Sequence, residues 1–475
     1  MKTDIFFILS DFRGQFSRNA AFVWFLVAVF GFLLRFDSYG VTSFIRWLGL
    51  ASDCYPLLLH FFYANSWSHG KLMMQWMQWC ISNFSIVRLN GRVLCIGDGI
   101  KVPKEAKKQP GLKRLHNESQ NSTKPEKFTG HYFGCLCFIA EKFGKYFGVL
   151  QAAEIQQGVD KLRKLSGEEI EGKTLVTKMV NLAIIVAVSQ NIPLYLCLDA
   201  FFAAGPAFAL AALHLTDAGQ PWVHIITKAK SNYVAYPDKG RKKSNKIKLS
   251  DMFGQSGSFL AAPHPIHPER EILYFYMDLY WSSVTGLIRF VWVIDGKNHF
   301  VLMCSDITLS PLDVLRGYGL RAKIEVAFLV LKHIIGGFCY RFWTKFQDAL
   351  PKNKKEGVLP VLSDRKRANK CLETLRAIER FVNLAIIAQG ILQYLAVSHT
   401  AAVWRIHSAT SWLRTYSSDI PSEETVKRAL QAEMLASSNS TTCYEWIKSL
   451  AGQVKRPKLP SKVPKNDTLG SVFLD

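Results

Sequence analysis

The sequence predicts an α/β protein with a central mixed sheet and helical regions at both ends of the chain. Three observations lead there. Between residues 91 and 235, short runs of β-formers alternate with longer amphipathic stretches. Two runs, "RVLCIGDG" and "IPLYLCLDAFF", are predominantly apolar up to an aspartate, as strands buried on both faces are. Each of these runs ends in an acid, Asp98 and Asp199.

Residues 1–90 read as a helical module, with "DSYGVTS" and "GLASDCY" as breaks and Thr42 or Ser43 as an N-cap. The apolar run 20–34 has 15 residues between Arg18 and Arg35. Crossing a bilayer takes about 20, so a buried helix is expected and a membrane segment is the rival. In the core's first part, 91–235, "GHYFGCLCFIA" and "KYFGVLQAAEI" form a hairpin around a turn at 141–145. A helix over "KTLVTKMVNLAIIVAVSQN", the strand before Asp199, a helix at 205–217 and the strand "WVHIITKAKSN" follow. Residues 236–305 read as a β-rich insertion. It opens on the basic loop "PDKGRKKSNKIK", with strands at 272–278, 287–294 and 299–304. Core resumes over 306–345, where Ser310 caps a helix with Pro311 at its first position. After the polar stretch "KNKKEG", the region 346–450 is helical, with helices at 366–396 and 422–437. The tail 451–475 is rich in Pro and Lys and is expected to be disordered.

A formal charge of +22, from 59 basic and 37 acidic residues, calls for a polyanionic partner, nucleic acid or an anionic membrane surface. Hydrophobic content of 49% argues for a folded chain. The ten cysteines have no C-x-x-C pair and no zinc-site spacing, which points to reduced buried thiols in a cytoplasmic protein.

In "YGLRAKIEVAFLVLK", Tyr318, Arg321, Glu325 and Lys332 fall at offsets 0, 3, 7 and 14. On a regular helix that is one stripe about 60° wide. The bland reading is a solvated face with an i, i+4 ion pair, and strand-end aspartates are often turn residues. The sharper reading is convergence of Asp98, Asp199 and Glu325. Three carboxylates repel one another unless cations neutralise them. Mg²⁺ is the hard ion suited to such oxygens, and a pair of such ions about 4 Å apart can drive phosphodiester chemistry, with the positive chain attracting DNA. Lys101, Lys104, Lys107, Lys108, Lys113, Arg114 and His116 form a basic stretch read as a phosphate-binding loop near that site. Lys228 and Lys230 share a face as further DNA contacts. His116 and His131 are candidate hydrogen-bond donors, and Trp292 is read either as core or as a stacking partner for an extruded base.

The spacing Y-x2-R-x3-E-x6-K resembles the signature around the catalytic glutamate of bacterial insertion-sequence DDE transposases. "DGIKVPKEAKKQPGLKRLH", "GHYFG", "SDITLSP" and "WLRTYSSDIPSE" extend the resemblance over residues 20–440. It implies an RNase H-like core in which Asp98, Asp199 and Glu325 are catalytic and bind Mg²⁺, with Mn²⁺ able to substitute. Tyr318, Arg321 and Lys332 would contact DNA phosphates near the cleavage point, and the β-rich insertion precedes the glutamate helix. The N-terminal module would bind terminal inverted repeats of double-stranded DNA. A homodimer would pair two ends and join them to target DNA, in a bacterial, nucleoid-associated setting away from membranes. The rivals are a metal-dependent nuclease of the same class without strand transfer, a basic membrane-associated protein anchored by residues 20–34, and a degenerate copy that binds DNA without cutting.

Overall fold

Helices occupy the two ends of the chain and the connections of one large sheet. A computed structural model describes residues 1–37, 39–117, 126–167, 172–230, 232–254, 256–349, 364–412, 419–436 and 443–454. The "KNKKEG" stretch, residues 413–418 of "WLRTYSSDIPSE" and the tail from 455 onward lie outside the described residues.

The N-terminal helices are α1 (Lys2–Ser10), α2 (Asn19–Leu34), α3 (Val41–Trp47), α4 (Cys54–Tyr63) and α5 (His69–Asn83). Gly40, rather than Thr42 or Ser43, is the N-cap of α3. The Ser43 hydroxyl is engaged instead by the Asp37 carboxylate. Strands β1 (Arg88–Leu89), β2 (Arg92–Pro103), β3 (Lys113–His116), β4 (Lys127–Lys142) and β5 (Lys145–Ile155) come next. The expected hairpin is β4 and β5, with Lys142 opposite Lys145. Its two turn residues, Phe143 and Gly144, have φ of 51° and 71°. A two-residue turn of this hand requires positive φ at both positions, which matches the right-handed twist of the strands.

Helices α6 (Asp160–Ser166) and α7 (Leu175–Gln190) lead to β6 (Leu194–Leu198), α8 (Gly205–Leu213) and β7 (Val223–Lys228). Helix α8 ends before 217 because Leu215 bridges Pro221 in a tight return to β7. Strands β8 (Val234–Tyr236), β9 (Ile247–Lys248), β10 (Leu260–Pro263), β11 (Glu271–Trp281), β12 (Leu287–Asp295) and β13 (Asn298–Cys304) make up the segment read as an insertion. They do not form a separate layer, because β13 pairs with β7 and continues the same sheet. The order is β3-β4-β2-β6-β7-β13-β12-β11-β8-β9, with β5 also on β4, β1 on β2 and β10 on β11. Among the described strands, only β2–β6 and β6–β7 are parallel.

Helices α9 (Pro311–Gly319) and α10 (Lys323–Leu329) follow, with Ser310 accepting the Asp313 N–H as an N-cap. Last come α11 (Arg365–Ser398), α12 (Thr400–Thr410), α13 (Glu423–Ala436) and α14 (Cys443–Gln453). Of these, α12 and α14 are not anticipated by the sequence reading. Helix α11 is long and apolar enough to cross a membrane, but 83% of its apolar window is buried inside the protein. The run 20–34 lies in α2, which is too short to span and is packed against α11 and α14. Phe32 meets Phe381 at 4.9 Å, and Trp24 stacks on Tyr444 at 5.9 Å.

The polar groups of α11 close the outer edge of the sheet. Asn383 accepts the Ala153 N–H at 2.9 Å and donates to the Ala153 carbonyl at 2.8 Å. Glu379 accepts from the Ile155 N–H, and Gln393 donates to the Gly148 carbonyl, each at 2.9 Å. These bonds supply the peptide groups of β5 that no neighbouring strand reaches, removing an exposed edge.

Trp292, the candidate for base stacking, is fully buried, and its indole N–H donates to the Leu249 carbonyl at 2.7 Å. Its ring packs on Phe275 and Phe290 in the core, so no extruded base can reach it. Trp292→Ala is expected to cost about 3–5 kcal/mol of stability, read as a lowered urea midpoint at unchanged slope.

Candidate active site

Asp98 is not at a strand end. Strand β2 runs five residues further, to Pro103, so the carboxylate leaves from mid-strand. Its direction follows from the alternation of the pleat. At Gly97 a Cβ would lie 2.8 Å from Leu198 Cδ2 and 3.0 Å from Met179 Sδ, so this position faces α7. Asp98 therefore faces the opposite side, where α9 and α10 lie. Gly97 pairs with Leu198 in the parallel register of β2 and β6, which sets Asp98 level with Asp199 on the neighbouring strand. Gly99 leaves room for Tyr132, whose hydroxyl would stand 1.9 Å from a Cβ there. Its N–H donates to Asp98 Oδ1 at 2.7 Å.

The segment 318–332 is not one regular helix. Helix α9 ends at Gly319, a 3-10 turn covers Leu320–Ala322, α10 follows, and a π-helical turn covers Val330–Ile335. Nor is α10 buried all round: Glu325, Val326 and Leu329 are exposed on it. Within this changing winding the i, i+4 pair still forms. Arg321 Nη2 donates to Glu325 Oε1 at 3.0 Å, and Nη1 donates to Asp98 Oδ2 at 3.2 Å. One guanidinium thus joins the strand acid to the helix acid. Asp199 and Tyr318 lie close enough to act on the same charge.

Burial pushes the Asp98 carboxyl up to about 6, against the opposing pull of the Gly99 N–H and Arg321. The charges of Asp199 and Glu325 add to that rise. Burial likewise pushes the Tyr318 hydroxyl up to about 12. Three carboxylates against one guanidinium leave a formal surplus of about two negative charges, a field that favours a divalent cation. Among the described residues, no three His, Cys, Asp or Glu side chains stand closely enough together to hold an ion. With Arg321 bridging two of them, the acids gather around the guanidinium.

The basic residues fare differently from one another. The stretch 101–114 is not a single loop, since Lys101 lies in β2 and Lys113 and Arg114 lie in β3. Lys113 and Arg114 are exposed, while Lys101 Nζ donates to the His116 carbonyl at 3.0 Å. Lys104 is turned inward. Its ammonium donates to the Phe338 carbonyl at 2.6 Å and sits 3.6 Å from the Tyr340 ring centre. Burial there pulls it down to about 8. Lys107 and Lys108 are exposed. Lys228 leaves the end of β7 level with Asp199 and lies 5.6 Å from the Phe300 ring; Lys230 beyond it is exposed. Lys332 is exposed within the π-helical turn. His131 is buried between Tyr340 and the Pro110 carbonyl and is structural, while His116 is exposed, 3.9 Å from Glu126.

Two features escaped sequence reasoning. Arg321 reaches Asp98 as well as its i+4 partner Glu325, and Phe201, two residues after Asp199, is 56% exposed. No local spacing marks the Asp98 bond, and an apolar run carries no mark of which residue turns outward. In comparison with known proteins, no family model and no curated protein matches the chain.

Because the folded state raises the Asp98 carboxyl from 3.8 to about 6, it binds that proton more tightly than the unfolded chain does. Stability is therefore lost as pH rises through this window, and the full cost is present above about pH 6. Asp98→Asn removes it. In metal-free buffer at pH 7 the variant is expected to be more stable than wild type by about 1–3 kcal/mol, a gain that shrinks as pH falls toward 4 in urea titrations.

Proposed function

We propose that this protein is a DNA transposase of the insertion-sequence DDE type, acting through an RNase H-like core. The observation that carries the reading is the Arg321 guanidinium, bonded at once to Asp98 at 3.2 Å and Glu325 at 3.0 Å, with Asp199 level with Asp98 on the next strand. These are the residues that the Y-x2-R-x3-E-x6-K resemblance assigns to catalysis, drawn from positions 98, 199 and 325 of the chain. Five adjacent strands, β5-β4-β2-β6-β7, change from antiparallel to parallel at β2, and the acids stand on and just beyond the parallel pair. That mixed order supports the fold reading.

Three carboxylates suit Mg²⁺ or Mn²⁺ in charge and hardness, but here they gather around Arg321, which would have to give way for an ion to be held between Asp98 and Glu325. Bound there, such an ion would activate the attacking oxygen and stabilise the leaving one. The chain's own residues supply the rest. Arg321 holds Asp98 and Glu325 in register and keeps their repulsion in check until a substrate enters. Tyr318, packed beside Arg321, narrows the approach to it. Lys332, Lys113, Arg114, Lys228 and Lys230 offer cations to the phosphates on either side, with Lys101 as a further contact. Lys104 is left out of this set, since it is spent on the interior. Water attack at each element end frees a 3′-hydroxyl, which then attacks target DNA at the same site. Two copies of the chain pair the two ends, and the N-terminal helices engage the terminal repeats. The setting this requires is the bacterial nucleoid.

The test uses the full chain with supercoiled DNA carrying the gene and its flanking sequence, in Mg²⁺ or Mn²⁺. Wild type is expected to nick. Asp98→Asn, Asp199→Asn and Glu325→Gln are each expected to lower nicking by about 10²-fold or more while retaining DNA on a gel. Joining of a pre-cleaved end distinguishes a transposase from a nuclease. Equal nicking by wild type and the three variants would overturn the assignment.

A further inference from the structure

We propose that Arg35 and Lys427, from opposite ends of the chain, are positioning residues that lock the π-helical turn behind Glu325 and so fix where that carboxylate points. The proposal rests on the catalytic reading of Glu325.

The segment that carries Glu325 ends at Gly336, whose φ is 69°. The last carbonyls of a helix have no donors of their own. Here they receive side chains from two remote elements. Lys427 of α13 donates to the Ile334 carbonyl at 2.6 Å. Arg35, just past α2, donates through Nη2 to the Gly336 carbonyl at 2.8 Å and to that of Ile335 at 3.4 Å. A third tie lies higher up, where Gln389 of α11 donates to the Ala327 carbonyl at 3.1 Å, two residues past Glu325.

Arg35 is itself immobilised. Its other nitrogen, Nη1, donates to the carbonyls of Tyr39 and Gly40, and its plane lies 4.8 Å from the Phe32 ring and 4.6 Å from Phe44. Both cations are fully buried, and the Arg35 charge acts on Lys427. Asp37 and Glu424 are the carboxylates that act on Lys427, and the Phe36 ring lies 5.1 Å from its ammonium. Apolar side chains of similar volume would fill such a place at lower cost. The two cations do what apolar groups cannot, which is to bond the helix end while complementing its negative pole.

The link to Glu325 is the winding itself. A π turn contains one residue more than an α turn and is a strained, minor form. If it relaxed to α, everything on its N-terminal side would rotate by roughly 100° relative to the anchored end. Glu325 would then swing off Arg321 and away from Asp98. Anchoring Ile334, Ile335 and Gly336 opposes that slip.

The experiment compares wild type with Lys427→Met and Arg35→Lys as full chains, well below their unfolding midpoints. In Lys427→Met, amide hydrogen exchange at 323–337 is expected to rise about tenfold or more. The kcat for nicking should fall by about 10-fold to 10²-fold, the scale of a misplaced catalytic group, with KM for DNA unchanged. Arg35→Lys keeps the cation but loses the fork and is expected to fall between wild type and Lys427→Met in both readouts. Unchanged exchange, or a loss of activity that tracks only the folded fraction, overturns the proposal. If exchange accelerates but wild type nicks no DNA, the anchor stands and it is the transposase reading that fails.

Discussion

A strand buried at the edge of a sheet must find partners for every outward peptide group, or lose the hydrogen bonds it had in water. The architecture here depends on how β5 meets that demand. Its edge is closed by side chains rather than by another strand, chiefly Asn383, Glu379 and Gln393 of α11, helped by Trp76 of α5 at the Leu150 carbonyl. Because those groups must sit at fixed heights along β5, α11 has one allowed register against the sheet. The helices of both chain ends then gather on α11: Arg380 donates to the Phe62 and Ala64 carbonyls at the end of α4, and Phe381 packs under Phe32 and Phe44. The two helical regions, far apart in sequence, thereby become one body with the sheet.

That body decides the geometry of the charged site. Helix α10 lies across β5 and β2, with the Lys323 backbone against Gly148. It arrives there with one end held by Arg35 and Lys427 and its middle by Gln389. Three carboxylates are thus brought near one guanidinium by elements fixed for other reasons. Burial is the main reason the Asp98 carboxyl is raised, and the charges of Asp199 and Glu325 add to it. The chain as a whole carries the opposite sign, a formal +22, so this small acidic cluster stands out against its surroundings.

Much of the core was legible because its signals are local. The β4–β5 hairpin, α7, the apolar strand before Asp199 and the Ser310–Pro311 start of α9 follow from alternation, apolar runs and capping chemistry, each decided within a few residues. What misled the reading were positions where burial, not pattern, chooses the outcome. Asp98 looked like a strand end because Gly99 and then lysines follow it, yet β2 continues, since β4 pairs with it as far as Gly130 opposite Pro103. Lys104 looked like a phosphate contact because its neighbours are basic, yet it is the one that turns in to meet carbonyls. The β-rich character of 236–305 was legible, whereas nothing local showed that its last strand extends the sheet. The run 20–34, by contrast, is the buried helix that its length implied.

By itself, then, the sequence determined the kinds of elements, the i, i+4 spacing of Arg321 and Glu325, an aspartate in or next to each of two β-runs, and the sign and size of the charge. These are properties of a few neighbouring residues or of simple sums. Tertiary structure alone decided that Asp98 stands beside Asp199, that Arg321 spans from Glu325 to Asp98, and that residues 35 and 427 meet at the end of the same helix. Such meetings join residues up to hundreds of positions apart. They are set by which edges need covering and which charges must be balanced, and no local pattern encodes that balance.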